Sequence, residues 1–200
     1  LKVQMWDYYA YDIINAIYAD ANYNMNLDNV TLYSAAQIIR EDGVGDKLAG
    51  KVSSTYGAGK IGVKVAGFNI YGAYLQTTQS GGNALEKSII SPWGGMPAYT
   101  QGMVTRHQFL AGTKAGKIAG TYNFKETGVN LSTTAYYTYF DMDNNSGYGN
   151  ERTATEAGFD AIYYPEMVKD LQLRLRGNFP RNFIGNVGWS EYRFIVNYNF

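Results

Sequence analysis

Apolar and polar positions alternate with a period of two along most of this chain, the spacing of strands that face two different environments. In Leu171 to Gly177 the alternation is complete: Leu171, Leu173 and Leu175 take one parity, and Gln172, Arg174 and Arg176 the other. Val129, Leu131, Ala135, Tyr137 and Tyr139 oppose Asn130, Ser132, Thr134 and Thr138, while Ile118, Tyr122 and Phe124 oppose Lys117, Thr121 and Asn123. Tyr23, Met25 and Leu27 oppose Asp20, Asn22 and Asn24. At the end of the chain, Phe194, Val196, Tyr198 and Phe200 oppose Arg193, Asn197 and Asn199. Turn-forming clusters separate such segments, which predicts ten antiparallel strands: 2–9, 14–27, 30–39, 56–65, 70–77, 117–124, 129–141, 153–164, 171–177 and 189–200.

The joints between these segments differ in length. Those at 28–29, 67–69, 125–128 and 165–170 are short, and three of the remaining five are clearly longer. Short turns on one rim and long loops on the other predict an all-β protein, a transmembrane antiparallel β-barrel of the outer-membrane kind. Alternation alone does not say which face is inside, because a water-soluble barrel inverts the pattern. The aromatic residues decide for apolar outside. Tyr122, Phe124, Tyr163, Tyr164, Tyr198 and Phe200 gather near strand ends, as rings seated at membrane interfaces do, and Phe200 is expected in the girdle at the short-turn rim.

Composition agrees with this assignment. No window offers the roughly 18 consecutive apolar residues of a membrane-spanning helix, yet charged residues are only 17% and the chain holds 19 Tyr, 23 Gly and 9 Phe. Lys plus Arg equals Asp plus Glu at 17 each, so net charge points to no nucleic-acid partner, and any electrostatic function rests on local segregation of charge. Zero cysteines exclude thiolate metal sites and disulfides. The chain opens at Leu1 without a basic or apolar leader, so a signal peptide is expected to be cleaved or to lie outside this stretch.

Few residues suggest chemistry. His107 is the only histidine, so metal ligation or Ser/His catalysis lacks partners and an ordinary loop histidine is expected; neither a cofactor nor an enzymatic activity is predicted. The Asp141–Gly147 stretch superficially suggests a calcium loop, but an EF-hand needs Gly and Glu where this chain has Ser146 and Arg152. The glycines of "YGAGKIG" lack the spacing of a phosphate loop and read as strand positions beside crowded neighbours. The insertion from Gln79 to Gly112, with its apolar "IISPWGGMPAY", exceeds the roughly 12–15 residues of a passive connection. It is expected either to fold into the barrel lumen or to remain a surface loop.

Four stretches, "KVQMWDYYAYDIINAIYADANY", "LAGKVSSTYGAGKIGVK", "KDLQLRLRGNF" and "SEYRFIVNYNF", together with "DNNSGYGNE", resemble the C-terminal half of the OprD-type porins of Gram-negative outer membranes. The resemblance implies a single porin domain over residues 1–200, ten strands of a monomeric barrel of about 18 whose N-terminal strands are missing here. It also implies passive diffusion of small anionic or zwitterionic, carboxylate-bearing solutes such as amino acids and organic acids, with outer-membrane lipid and lipopolysaccharide as surroundings. The family's line of basic side chains is matched at Arg174, Arg176 and Arg193. Guanidinium forks grip carboxylates in bidentate fashion, and a series of weak sites passes an anion along without trapping it. Lys117, Glu191 and Asp160 are further pore-lining candidates; alternatively the arginines merely solvate a wet lumen and pair with Glu191, Asp160 or Glu156. Two other readings stay open: a complete small outer-membrane barrel acting as enzyme, adhesin or anchor, closed between the first and last strands, and a soluble Tyr-rich sugar-binding protein with apolar side chains inside.

Overall fold

The computed structural model describes residues 1–79, 81, 84–90, 96–144, 146 and 152–199. Ten strands form one antiparallel sheet in sequence order: β1 (Lys2–Ala10), β2 (Ile14–Leu27), β3 (Val30–Asp42), β4 (Ser53–Val65), β5 (Phe68–Thr77), β6 (Lys114–Asn123), β7 (Leu131–Met142), β8 (Arg152–Tyr163), β9 (Leu171–Arg181) and β10 (Glu191–Tyr198). Local chemistry dictates the meander. Ala66 and Gly67 both take positive φ, the requirement of a two-residue hairpin turn whose twist matches its strands, and Asp28 at φ 47° serves the β2–β3 joint. A Cβ on Gly67 would lie 2.8 Å from the Asn123 carbonyl oxygen, so close approach demands glycine there as well.

The strands run further toward the long-loop rim than the alternation suggests: β3 continues to Asp42, β4 begins at Ser53, β6 at Lys114, and β9 reaches Arg181. At that rim the otherwise apolar face turns polar, which hides the period. Arg40, for example, donates to Asp42, to Thr55 at 3.0 Å and to Ser53 at 3.1 Å. At the other rim Phe124 leaves the strand for a 3-10 turn, Phe124–Thr127, closed by Gly128 at positive φ.

The two faces of the sheet differ completely. One carries the connection between β5 and β6, including a short helix α1 (Ala84–Lys87), and under it Tyr56, Leu75, Phe140, Met142, Glu41 and Glu156 are fully or almost fully buried. The core lies in this layer, where Ile89, Met96 and Phe109 of the connection pack on Tyr18, Ile39, Tyr56, Leu75 and Phe140. The other face is bare and apolar from edge to edge: Met5, Tyr23, Leu32, Ile61, Ile70, Tyr74, Ile118, Tyr137, Leu175, Phe194 and Val196 are all exposed. Water does not tolerate an apolar surface ten strands wide; its solvent is hydrocarbon. The soluble reading, with apolar side chains inside, is thereby overturned.

Aromatic rings mark the short-turn rim of the bare face. Phe68 and Tyr122 sit 4.3 Å apart between ring centroids, Tyr122 meets Phe124 edge-on at 4.6 Å, and Tyr163 and Tyr198 are exposed near the ends of β8 and β10. Tyr164 departs from the expected girdle: it lies beyond β8, and its hydroxyl accepts from the Gln172 amide, a side chain of the polar parity. Phe200 lies outside the described residues, as do 91–95 of the long insertion and 147–151 of the "DNNSGYGNE" stretch. β1 and β10 form opposite edges of the sheet and do not pair with each other, so the closure expected of a small complete barrel is absent.

A charge on the bare face is expected to cost far more than one on the covered face. Ile118→Arg should destabilise the protein by about 2–4 kcal/mol in a urea titration from lipid vesicles, whereas Thr121→Arg, of opposite parity on the same strand, should shift it by less than about 1 kcal/mol.

Candidate channel lining

The covered face is a wall of polar side chains that hold an irregular loop by its backbone. Glu156 of β8 is the centre of this arrangement. Its carboxylate accepts from the amides of Met103 at 2.7 Å and Thr105 at 2.9 Å, more weakly from Val104, and from the hydroxyl of Tyr136. Successive amides turned onto one anion form the same concave donor set that binds phosphates elsewhere. Neighbouring strands repeat the principle. Glu41 accepts from the Ile90 amide at 2.7 Å, Gln37 donates to the Pro97 carbonyl at 2.6 Å, Thr77 to Gln108 at 2.7 Å, Thr138 to Thr100 at 2.7 Å, and Ser54 to Lys87 at 2.6 Å. The described part of the 79–112 insertion therefore lies against the sheet, spanning β3 to β8.

Tyr136 reaches Glu156 because Gly158 faces it: a Cβ at 158 would meet the Tyr136 hydroxyl at 2.5 Å. His107, expected to be an ordinary loop histidine, is instead buried. Its Nε2 bonds the Phe183 carbonyl at 2.8 Å, which also accepts from Arg152 at 2.5 Å, and its ring lies 4.9 Å from Phe183 and 5.5 Å from Phe140. Among the described residues no group of three or more His, Asp or Glu side chains is placed to hold a metal ion.

The three predicted arginines fall on this face and come together. Asn26, Thr31, Lys64, Asn69, Thr121, Thr134, Asp160, Arg176 and Arg193 are successive register partners from β2 to β10, a row polar at every strand. Arg176 stands between Asp160 and Arg193 in that row. Arg174, two positions along β9, grips Asp160 through Nε at 2.7 Å and through Nη2, and Arg176 reaches the same carboxylate at 3.3 Å. Arg193 pairs with Glu191, which also accepts from Asn178 at 3.3 Å. No acid shares β9 with the arginines, but β8 and β10 supply one each. Asp160 and Glu191 are thus counter-charges of the row, and Lys117 lies apart from it, donating to the Gln101 carbonyl at 2.6 Å with its ammonium 4.6 Å from the Tyr136 ring.

Two cations escape the sequence reading. Lys60 and Lys64 of β4 share the covered parity and flank Gly62, over which Tyr33 of β3 lies, with Tyr71 of β5 its register partner on the other side. The Lys60 ammonium is 5.8, 5.7 and 4.5 Å from the ring centroids of Tyr33, Tyr71 and Tyr99, and that of Lys64 is 5.5 Å from Tyr33. Their signal in the sequence is "GKIGVKV", two lysines on the polar parity of a strand rich in glycine.

By sequence, the chain matches no protein-family model and no curated protein. By structure, it is similar to three porins of Pseudomonas aeruginosa: OccK9 (TM-score 0.82, 19% identity, 98% of this chain against 49% of that one), OccK2 solved in complex with glucuronate (0.78, 15%, 98% against 53%) and OprD (0.76, 23%, 98% against 56%). This is the fold of the OprD-type porins. The chain spans about half the length of these solved structures. In a porin the covered face lines the lumen and the bare face meets lipid, so the loop held by Glu156 lies inside the barrel wall.

Removing the anchoring carboxylate leaves three amides and a tyrosine hydroxyl without their acceptor. Glu156→Ala is expected to cost on the order of 3 kcal/mol and to expose the loop to protease near residues 103–105, with Glu156→Gln intermediate; cleavage sites located by mass spectrometry check this. Acid should loosen the same loop. Burial pushes the His107 pKa below the ordinary 6.5, and Arg152 adds to the shift while the Phe183 bond and Glu156 oppose it. A released His107 binds a proton near pH 6.5 and the docked one does not, so docking is at full strength above that pH and weakens below it. Hydrogen exchange of amides 107–113 should quicken as pH falls below about 6.5 after correction for intrinsic rates, and His107→Gln should remove the dependence.

Proposed function

We propose that this chain forms ten strands of an outer-membrane porin of a Gram-negative bacterium, the C-terminal part of a longer, monomeric barrel, through which small carboxylate-bearing solutes diffuse passively. The observation that carries this reading is the row in which Arg176 stands between Asp160 and Arg193, with Arg174 sharing Asp160, on the lumen face of a porin-like sheet. The open edges at β1 and β10 support the longer barrel, because unpaired backbone groups have no partner in lipid and further strands would supply one. The solute class is supported by two fold neighbours: OccK2 is solved with glucuronate and OpdK with vanillate, and both ligands are carboxylates.

The arrangement suggests how the row would work without trapping its cargo. Asp160 is shared by two arginines, which leaves a net positive site whose guanidinium donors are already aimed at one carboxylate. A solute carboxylate exchanges with Asp160 for part of that fork, then passes to Arg193, where Glu191 competes in turn. Binding stays weak at each step because an internal anion replaces the departing one. Lipopolysaccharide and lipid would surround the bare face.

The test is reversal potential in planar bilayers, made on the natural full-length protein. Arg174→Ala, Arg176→Ala and Arg193→Ala combined should shift selectivity toward cations and lower the flux of acetate and glucuronate, while Asp160→Asn should raise anion preference. Unchanged selectivity in the triple variant would sink the role of the row.

A further inference from the structure

Glu41 and Glu156 both hold the docked connection by its backbone, yet their carboxylates are supplied in opposite ways. Glu156 collects three amides and a tyrosine hydroxyl. Glu41 of β3 is buried as completely, but its Oε2 accepts only from the Ile90 amide, at 2.7 Å, and its Oε1 has no hydrogen-bond partner among the described residues. A carboxylate so placed is costly when ionised and fits when it carries a proton. Glu156 is therefore a fixed anchor, and Glu41 one whose strength depends on its protonation.

Among the described residues, the groups around Glu41 supply no counter-charge. Its register partners on the covered face are Ala16 of β2 and Ser54 of β4, and the Ser54 hydroxyl donates to the Lys87 carbonyl at 2.6 Å. Of the charges on α1, the Lys87 ammonium pairs with Glu86 at 3.1 Å. Tyr18 and Tyr56 of the same wall bond Gln37, and the His107 ring lies against Phe140 and Phe183. Arg40 and Asp42, on either side of Glu41 in sequence, face outward and pair with each other. They make the outward face polar at this height, so Glu41 stands above the apolar band that meets lipid. Burial pushes its pKa up to about 7, against the pull of the Ile90 amide.

We infer that Glu41 is a proton-operated latch: protonated, it holds Ile90 and the α1 segment against the β3–β4 wall, and on losing its proton it lets that segment lift toward the lumen. The inference rests on the porin reading for the lumen, but the latch is measurable without flux. Three neutral bonds hold the same segment, Ser54 to the Lys87 carbonyl, the Ile89 amide to the Phe109 carbonyl at 2.8 Å and the Ala111 amide to the Ser88 hydroxyl at 2.9 Å. None of them titrates, so the pH response belongs to Glu41. A released Glu41 gives up its proton near the ordinary 4.5 and the docked one near 7. Docking of the segment is then at full strength below the lower value and weakens as pH rises to the higher one, the opposite sense to His107.

Hydrogen exchange of the Ile90 amide in the detergent-solubilised full-length protein, corrected for intrinsic rates, should quicken at least ~10-fold between about pH 5 and pH 8. Glu41→Gln keeps an acceptor for that amide without a charge and should hold exchange at its slow, low-pH rate throughout, while His107→Gln should leave the quickening in place. Exchange at Ile90 that is independent of pH, or that quickens as much in Glu41→Gln, overturns the latch. Potassium chloride conductance of the same preparation answers separately for the porin reading: channels with pH-independent exchange refute the latch alone, and a protein that opens no channel refutes the porin reading whatever Ile90 does.

Discussion

A carboxylate buried in a protein wall must be surrounded by donors, and an irregular loop at membrane depth must lose its free amides; Glu156 meets both demands at once. It is fully buried, and it collects the amides of residues 103–105 together with Tyr136. Neither partner would be tolerable alone. The charge without the amides would pay the full cost of desolvation, and non-helical backbone is accepted within a membrane protein only where it is covered by protein or lines water. Gln37, Glu41, Thr77 and Thr138 extend the same exchange to strands β3, β5 and β7, so the loop is held by side-chain to backbone bonds at nearly every wall strand.

That constraint organises the packing around it. Because the wall must present polar tips to the loop, its inward parity cannot be closed by large apolar residues throughout, and the core is confined to the band where Ile89, Met96 and Phe109 meet Tyr56, Leu75 and Phe140. Elsewhere on that face large side chains alternate with glycine across strands, Tyr136 over Gly158 and Tyr33 over Gly62. A ring laid over glycine occupies space that two ordinary side chains would contest, and its hydroxyl then points along the wall to a polar partner, Glu156 in one case and Asn69 in the other.

The sheet was largely legible in the sequence, because period two has one physical cause here, lipid on one side and a polar lumen on the other, and Leu171 to Arg176 shows both. It becomes illegible at the rim, where Arg40, Asp42 and Ser53 put polar groups on the otherwise apolar face and the strands nevertheless continue. The arginines could be assigned to a common face by parity alone. Their neutralisation could not, since Asp160 and Arg176 meet only through register, and register depends on the geometry of the turn between Tyr163 and Leu171. Lys60 and Lys64 carried the same parity signal as the arginines. Their significance depends on Tyr99, which a loop brings to them from a distance that no local pattern encodes.

The two sets of cations differ in what surrounds them, and the difference has an electrostatic consequence. Arg174, Arg176 and Arg193 are interleaved with Asp160 and Glu191, so the field they project into the lumen is that of paired charges and falls away quickly. Lys60 and Lys64 have aromatic faces close beside them, which stabilise the cation but contribute no counter-charge, and among the described residues neither forms an ion pair. Their field is therefore less compensated and reaches further across a narrow lumen. In the channel proposed above, an approaching anion would meet no internal competitor at the lysines, whereas along the arginine row Asp160 and Glu191 compete with it. Both sets lie on the covered face, with Lys64 in the same register row as Arg176 and Arg193, and the docked loop brings the Tyr99 ring to the lysines alone.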